Sequence, residues 1–276
     1  IIAMCSVGLS LIIGTTGLTN FAHGEMVTFG ALVAFFFNVY LDIPILICGP
    51  LVILLGGCFG LLINWGIFAR LTKRGIGSNS QLVVSLGLSL MLINFYLFLF
   101  GGRTKQLTSF SKQVNLEIGP IGITPRDLTT AILGVIILLS IAFSLQKSRL
   151  GKAIRAVSDN VQLASATGID TQKVIRIVWF AGGALAATGG IFRGLDEQVS
   201  FSMGSDLIFL MFAGITLGGL GSAYGALVGG FFIGIFVEMS SLFFPSELKV
   251  APALFILILV LIIRPQGIFG RSQRVG

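Results

Sequence analysis

The stretch Gly17-Leu-Thr-Asn-Phe-Ala-His-Gly-Glu25 sets an amide, the only histidine of the chain and a carboxylate between two apolar runs. Asn20 can both give and take hydrogen bonds, His23 can hold a proton on either ring nitrogen, and Glu25 can accept from hydroxyl or ammonium groups. A polar, glycine-flanked break beside membrane depth must satisfy its backbone groups against protein or a water-filled cavity. Two readings follow. Asn20, His23, Gly24 and Glu25 line a substrate pathway or shape its gate, or the segment is a turn at the membrane surface with Asn20 capping the next helix. A proton relay through His23 has little support, because no second ionisable group lies at helical spacing on a neighbouring run.

Catalysis has even less. One histidine without a positioned serine and carboxylate makes no triad. The only Gly-Lys pair, Gly151-Lys152, is followed by Ala153, so no Walker A loop can form. Cys5, Cys48 and Cys58 sit inside apolar runs without paired-ligand spacing and read as small hydrophobes rather than metal ligands or disulfide partners. The expectation is a non-enzyme with no catalytic residue, no metal and no cofactor.

The elements that must position the break are membrane helices. The chain has 276 residues, of which only 11% are charged, where soluble domains carry about 25%. Its mean hydropathy is +0.99, which leaves too little polar surface to coat a water-soluble globule. A β-barrel is excluded as well, because Ile45 to Leu62 and Ala251 to Ile263 are almost continuously apolar rather than alternating. Apolar runs at Ile1 to Leu18, Met26 to Leu41, Ile45 to Ala69, Leu82 to Phe100, Leu128 to Leu145, Val174 to Phe192, Leu207 to Leu220, Ala223 to Phe244 and Val250 to Ile263 predict an all-α polytopic protein with roughly eight or nine spanning or part-spanning helices. Ile1 to Leu18 reads as a span rather than a cleaved leader. Met26 to Leu41 and Leu207 to Leu220 are short for a bilayer of about 30 Å, which points to tilted or broken helices.

Residues 1–276 read as a single membrane domain with two long connections. Arg70, Lys73 and Arg74, then Lys147, Arg149, Lys152, Arg155, Lys173 and Arg176, then Arg264, Arg271 and Arg274 fall in one set of loops, which the positive-inside bias places in the cytoplasm with the C-terminus. Asp42, Glu117, Asp127, Asp196, Glu197, Asp206 and Glu247, with fewer bases (Arg103, Lys105, Lys112, Arg126), fall in the other set. The net charge of +7 follows from this bias towards anionic lipid headgroups and calls for no nucleic acid. An outer loop at 101–127 carries Pro120 and Pro125 and suggests short strand-like pieces. The inner connection at 146–172 offers Ser158, Asp159 or Asn160 as a helix cap and Gly168 as a stop, hence a short helix in a basic loop.

Glycine is over-used, 37 residues at nearly twice the usual share of about 7%. Pairs four apart, at Gly56 and Gly60, Gly190 and Gly194, Gly225 and Gly229, and Gly230 and Gly234, are the spacing for close helix packing. A second break, Leu217 to Gly225, gives a faint two-halves pattern with the first. Glu238, alone in an apolar run, is either an interior charge or one solvated two turns from the surface.

Four motifs in order, Asn20-Phe-Ala-His-Gly-Glu25, Gly151-Lys-Ala-Ile-Arg-Ala-Val-Ser-Asp-Asn160 with Ala164-Ser-Ala-Thr-Gly-Ile169, Gly218-Gly-Leu-Gly-Ser222 with Gly225, and Arg264-Pro-Gln-Gly-Ile-Phe-Gly270, resemble the branched-chain amino acid ABC transporter permeases, and in particular the first of that system's two permeases. The resemblance implies an inner-membrane subunit that pairs with a related second permease, docks on two cytoplasmic ATPases and receives substrate from a periplasmic binding protein. It implies a coupling helix over Asp159 to Gly168, where Ala164 and Ser165 are small enough for close docking and Gly168 turns the chain back. The Glu-Ala-Ala triplet of the general importer-permease motif is replaced by Ala164-Ser165-Ala166, so docking rests on position and on the Gly168 stop. Urea or short-amide permeases are the nearest alternative, and Phe21 leans towards amino acids. An ion-driven secondary transporter would need paired ionisable groups at the midplane, where this chain offers only Glu238.

Overall fold

The computed structural model describes residues 1–107, 116–118, 121–245, 248, 250–264 and 266–269, with the backbone alone at 116–118 and 121–123. Pro120, Lys112, Glu247, Pro265, Gly270, Arg271 and Arg274, and the side chain of Glu117, lie outside the described residues. The helices are α1 (Ile2–Thr16), α2 (His23–Phe35), α3 (Ile45–Ile63), α4 (Ala69–Lys73), α5 (Ser78–Phe100), α6 (Pro125–Lys147), α7 (Arg149–Asp159), α8 (Val161–Ala166), α9 (Thr171–Asp196), α10 (Met203–Gly218), α11 (Ala223–Ser240) and α12 (Ala251–Ile263). A hairpin of β1 (Leu116–Ile118) and β2 (Ile121–Ile123) pairs antiparallel before α6. Five helical runs among the described residues are long and apolar enough to cross a bilayer: Ile45–Lys73, which joins α3 to α4 through a widened π-helical turn, and α5, α6, α9 and α11. With α1, α2, α10 and α12 as shorter apolar helices, the chain is a multi-pass membrane protein.

The centre of the bundle is α9, whose most apolar window is 67% buried, whereas that of α6 is 6% buried and faces outward along its length. Small residues explain why. Gly8 of α1 lies on Gly182 of α9, where an added Cβ would stand 3.0 Å from the Gly182 carbonyl oxygen. Gly56 and Gly60 of α3 lie against Gly183 and Trp179, and Gly30 of α2 against Ala187. In lipid there is no hydrophobic drive between helices, so this close backbone approach, with its dispersion contacts, supplies the packing energy. Trp179, fully buried, stacks on Phe68 at 5.3 Å. Of the four glycine pairs, those on α3, at Gly190 and Gly194, and at Gly225 and Gly229 sit in close interfaces; in the fourth, Gly230 packs on Ala3 while Gly234 has only Ile2 Cδ1 at 3.9 Å.

These contacts fix the helix senses. Gly8 and Cys5 of α1 face Gly182 and Gly189 of α9, and Gly56 and Gly60 face residues in descending order, so α1 and α3 both run antiparallel to α9. The same order of contacts makes α11 antiparallel to α10, with Gly225 on Gly218 and Gly230 on Gly214. After α12, Ile268 N donates to Leu217 O at 2.8 Å and Phe269 N to Gly218 O at 3.0 Å, tying the closing motif to the end of α10. One end of the bundle therefore gathers Arg70, Lys73, Lys147, Lys173 and Arg264, the basic end.

At that end the 146–172 connection holds two helices where the sequence suggests one. Ser148 caps α7 by accepting from Gly151 N at 2.9 Å, and Arg155 donates to the Leu145 carbonyl, folding α7 back against α6. Asp159 ends α7. Asn160, in an extended conformation, breaks the helix and caps α8, its Oδ1 accepting from Leu163 N at 2.9 Å. Gly168 follows α8 with φ +89°, the left-handed stop that glycine adopts without strain.

Candidate functional site

Helix α1 ends where Gly17, at φ +66°, donates to Ile13 O at 2.8 Å. Its 15 residues reach roughly 22 Å, and α2 with the π-helical turn Phe36–Tyr40 that continues it at most roughly 27 Å, so neither crosses a hydrocarbon core of about 30 Å alone. The six-residue link between them is turned into the bundle, since Asn20, His23 and Glu25 are all completely buried. The surface-turn reading is therefore replaced by an interior break. Asn20 does not cap α2. Its Oδ1 accepts from Ala22 N at 3.1 Å, a turn ahead of the helix, while α2 opens at His23 with no side-chain cap.

Partners come from distant helices. Ser85 of α5 accepts from Phe21 N at 3.1 Å, and its hydroxyl lies 3.3 Å from Thr19 O. Glu25 Oε1 accepts from Ser205 of α10 at 2.7 Å and from Ser89 of α5 at 3.2 Å, and the Tyr96 hydroxyl donates to the Glu25 carbonyl at 3.1 Å. His23 Nε2 lies 3.3 Å from the Cys5 carbonyl, so in the tautomer that fits this contact Nε2 carries the hydrogen and donates.

The first turns of α2 and α10 meet backbone to backbone. A Cβ on Gly24 would lie 2.5 Å from Gly204 O, and Gly204 N donates to Thr28 Oγ1 at 3.0 Å. Two helix beginnings, each carrying partial positive charge, thus converge with the Glu25 carboxylate between them, a compensating arrangement. Broken helices whose ends meet inside a bundle are the geometry found around transport paths.

Three buried polar atoms of the break, Asn20 Nδ2, His23 Nδ1 and Glu25 Oε2, have no hydrogen-bond partner among the described residues. Each such group costs about 1–3 kcal/mol, and their concentration in one break marks it as more than packing. In front of Glu25 stand Ser89 and Ser205, both half-buried, and beside them Phe21 and Phe212 pack at 4.9 Å with Phe209 half-exposed. Glu25 is thus one side chain behind a wall of hydroxyls and aromatic rings. Sequence reading missed this wall. Its signal was present: Gln81, Ser85 and Ser89 recur every fourth residue, a polar stripe on an otherwise apolar helix.

The residues that the resemblance implies for coupling, Asp159 to Gly168, lie at the basic end. Ala164 is buried, whereas Ser165 and Gly168 are exposed, and so are Val161 and Leu163, the latter at 64%. Leu163 is the most exposed apolar side chain of α8, with Val161 beside it, and Ala164 packs inward. Ser158 of α7 donates to Gly221 O at 3.4 Å, and a Cβ on Gly14 would meet both the Ser158 Oγ and the Gly221 carbonyl oxygen at 2.8 Å. Helix α7, from which α8 follows, thereby rests directly on the last turns of α1, next to the break. The second glycine break contributes here, through Gly221, rather than at Glu25. Glu238 is exposed. Among the described residues no group of His, Cys, Asp and Glu could hold a metal ion.

A family model described as the branched-chain amino acid transport system / permease component matches residues 1–263. The high-affinity branched-chain amino acid transport system permease protein LivH of Escherichia coli K12 is 30% identical, over 98% of this chain and 92% of its own length. BraD of Pseudomonas aeruginosa, a permease protein of the same description, is 25% identical over 98% of this chain and 92% of its own. The probable branched-chain amino acid transport permease protein LivH of Methanocaldococcus jannaschii is 28% identical over 98% and 89%. No solved structure matches the chain.

Proposed function

The chain belongs to the branched-chain amino acid transport permease family, and from that premise we propose that it is one of two permease subunits of an ATP-driven importer for branched-chain or other neutral amino acids. It lies in the bacterial inner membrane with its basic end and C-terminus in the cytoplasm. A related second permease covers the wall of Phe21, Ser89, Ser205 and Phe209, two ATPase subunits dock at the cytoplasmic end and hydrolyse the ATP, and a periplasmic protein delivers the solute.

Transport proceeds by alternating access. ATP binding draws the ATPases together and carries α8 with them, Leu163 and Ser165 seated on the ATPase. Because α7 bears on Gly14 through Ser158, the push reaches the last turn of α1 and then the break at Asn20 to Glu25. The junction of Gly24 with Gly204 shifts, and the wall turns from one side of the membrane to the other. Asn20 Nδ2, His23 Nδ1 and Glu25 Oε2 find partners in the other state, which offsets part of the cost of leaving them unpaired here. The solute needs no tight site on this chain, since selection is made by the delivering protein.

The observation that carries this reading is the buried meeting of α2 and α10 around Glu25. Uptake of labelled leucine against labelled urea, in vesicles holding the complete transporter, tests it. ATP-dependent accumulation of leucine is expected, and accumulation of urea alone would refute the amino-acid assignment.

A further inference from the structure

Where α9 gives way to α10, at the end opposite the basic one, the structure holds a polar pocket of about 420 Å³, within the 300–1,000 Å³ usual for small-molecule sites. Arg193 from the last turn of α9 and Glu197 just after it line the pocket, with Ser200, Asp206 from the first turn of α10, Thr104 on the facing segment of chain, and Met203. The wall is held in place by the backbone, since Lys105 N donates to Val199 O at 2.9 Å and Val199 N to Lys105 O at 2.8 Å. The Lys105 ammonium is turned away, over the rings of Phe35 at 5.0 Å and Phe100 at 5.4 Å. Arg193 Nη2 meets Glu197 Oε2 at 2.6 Å, which leaves other N–H groups of the same planar fork for a second carboxylate.

A single-signed solute gains from one wall of this pocket and is repelled by the other. A solute carrying both charges on one carbon is favoured by both. The pocket and the transport wall share helix α10, for Asp206, which lines the pocket, follows Ser205, the donor to Glu25, and precedes Phe209 by three residues.

We propose that this pocket receives the free α-amino acid as a zwitterion, Arg193 taking the carboxylate and Asp206 the ammonium, before the side chain passes to the aromatic wall. The inference rests on the importer reading and adds a binding site to it.

The test uses the assembled transporter in nanodiscs without the delivering protein, in a Cys58→Ser background, because Cys58 is exposed while Cys5 and Cys48 are buried. A reporter thiol is placed by Ser200→Cys, and in a second preparation by Thr104→Cys, and its rate of modification by a water-soluble thiol reagent is followed. Leucine should slow modification at least fivefold. Leucinamide, which lacks the carboxylate, and isovalerate, which lacks the ammonium, should slow it less than twofold. Arg193→Gln and Asp206→Asn should each abolish protection by leucine, and Arg193→Lys should retain part of it. Equal protection by the three compounds, or none by leucine, would overturn the proposal. Protection by the delivering protein with free leucine inert would overturn it too, making the pocket a docking contact. ATP-driven leucine uptake by the same variants, reconstituted in proteoliposomes together with the delivering protein, separates the two readings: uptake without protection removes the pocket alone, and protection without uptake removes the importer assignment alone.

Discussion

Gly24 and Gly204 occupy each other's side-chain space: a Cβ on the first would stand 2.5 Å from the carbonyl oxygen of the second. They are separated by 180 positions in sequence, yet their contact sets the distance between Glu25 and Ser205 and so the geometry of the break.

Gly204→Leu should force α2 and α10 apart. Overpacking of this kind costs about 1–3 kcal/mol, which a bundle held by so many other glycine contacts survives, while the short Ser205 to Glu25 bond does not. Membrane insertion and yield should stay within twofold of the parent and ATP-driven uptake should fall at least tenfold. Unchanged uptake would show that the helix junction is not part of the path.

Glu25→Gln and Glu25→Leu separate hydrogen bonding from packing. Gln keeps an oxygen for Ser89 and Ser205, whereas Leu takes the acceptor from both half-buried hydroxyls and loses two hydrogen bonds, at about 0.5–1.5 kcal/mol each. Thermal unfolding in detergent should place Leu clearly below Gln, with Gln near the parent. Equal midpoints for the two variants would contradict the bonding pattern.

Gly168 has φ +89° and open space where a side chain would go. Strain there comes from the backbone alone, on the order of 1–2 kcal/mol for a residue with a Cβ and least for Asn. Gly168→Val should lower uptake at least fivefold while the docked ATPases still hydrolyse ATP, and Gly168→Asn should stay within twofold of the parent. Parity of Val and Asn would remove the stop after α8 from the coupling path.

Leu163 and Ala164 lie on different faces of α8, the first exposed and the second buried. Leu163→Asp should lower co-purification of the ATPases at least tenfold and leave the permease unfolding midpoint unchanged. Ala164→Leu should do the reverse first, lowering the midpoint, because its site is only 3% exposed. Loss of ATPase binding with Ala164→Leu alone would invert the assignment.

Much of the fold was legible because its signals are local. Apolar runs marked the membrane helices, the Gly17 to Glu25 and Leu217 to Gly225 breaks marked their interruptions, and Asn160 and Gly168 carried the cap and stop of α8. What escaped was set by rotation or by distance. The turn of about 100° per residue that buries Ala164 and exposes Leu163 cannot be read from composition. Helix α7 was missed because Arg149, Lys152 and Arg155 read as loop charge, although Ile154 and Val157 repeat at helical spacing and are buried. Ser89, Tyr96 and Ser205 join Glu25 from 64 to 180 residues away, which only tertiary packing reveals. Asn20 looked like a cap because it precedes a helix, but it spends its carbonyl on Ala22 N.

The most direct test of the importer account is the energy source for accumulation. Proteoliposomes containing this chain, its partner permease, both ATPases and the delivering protein should concentrate labelled leucine only when ATP is enclosed with the ATPases, and dissipating proton and sodium gradients should not slow them. Concentrative uptake by this chain alone, driven by an imposed ion gradient without nucleotide, would contradict it.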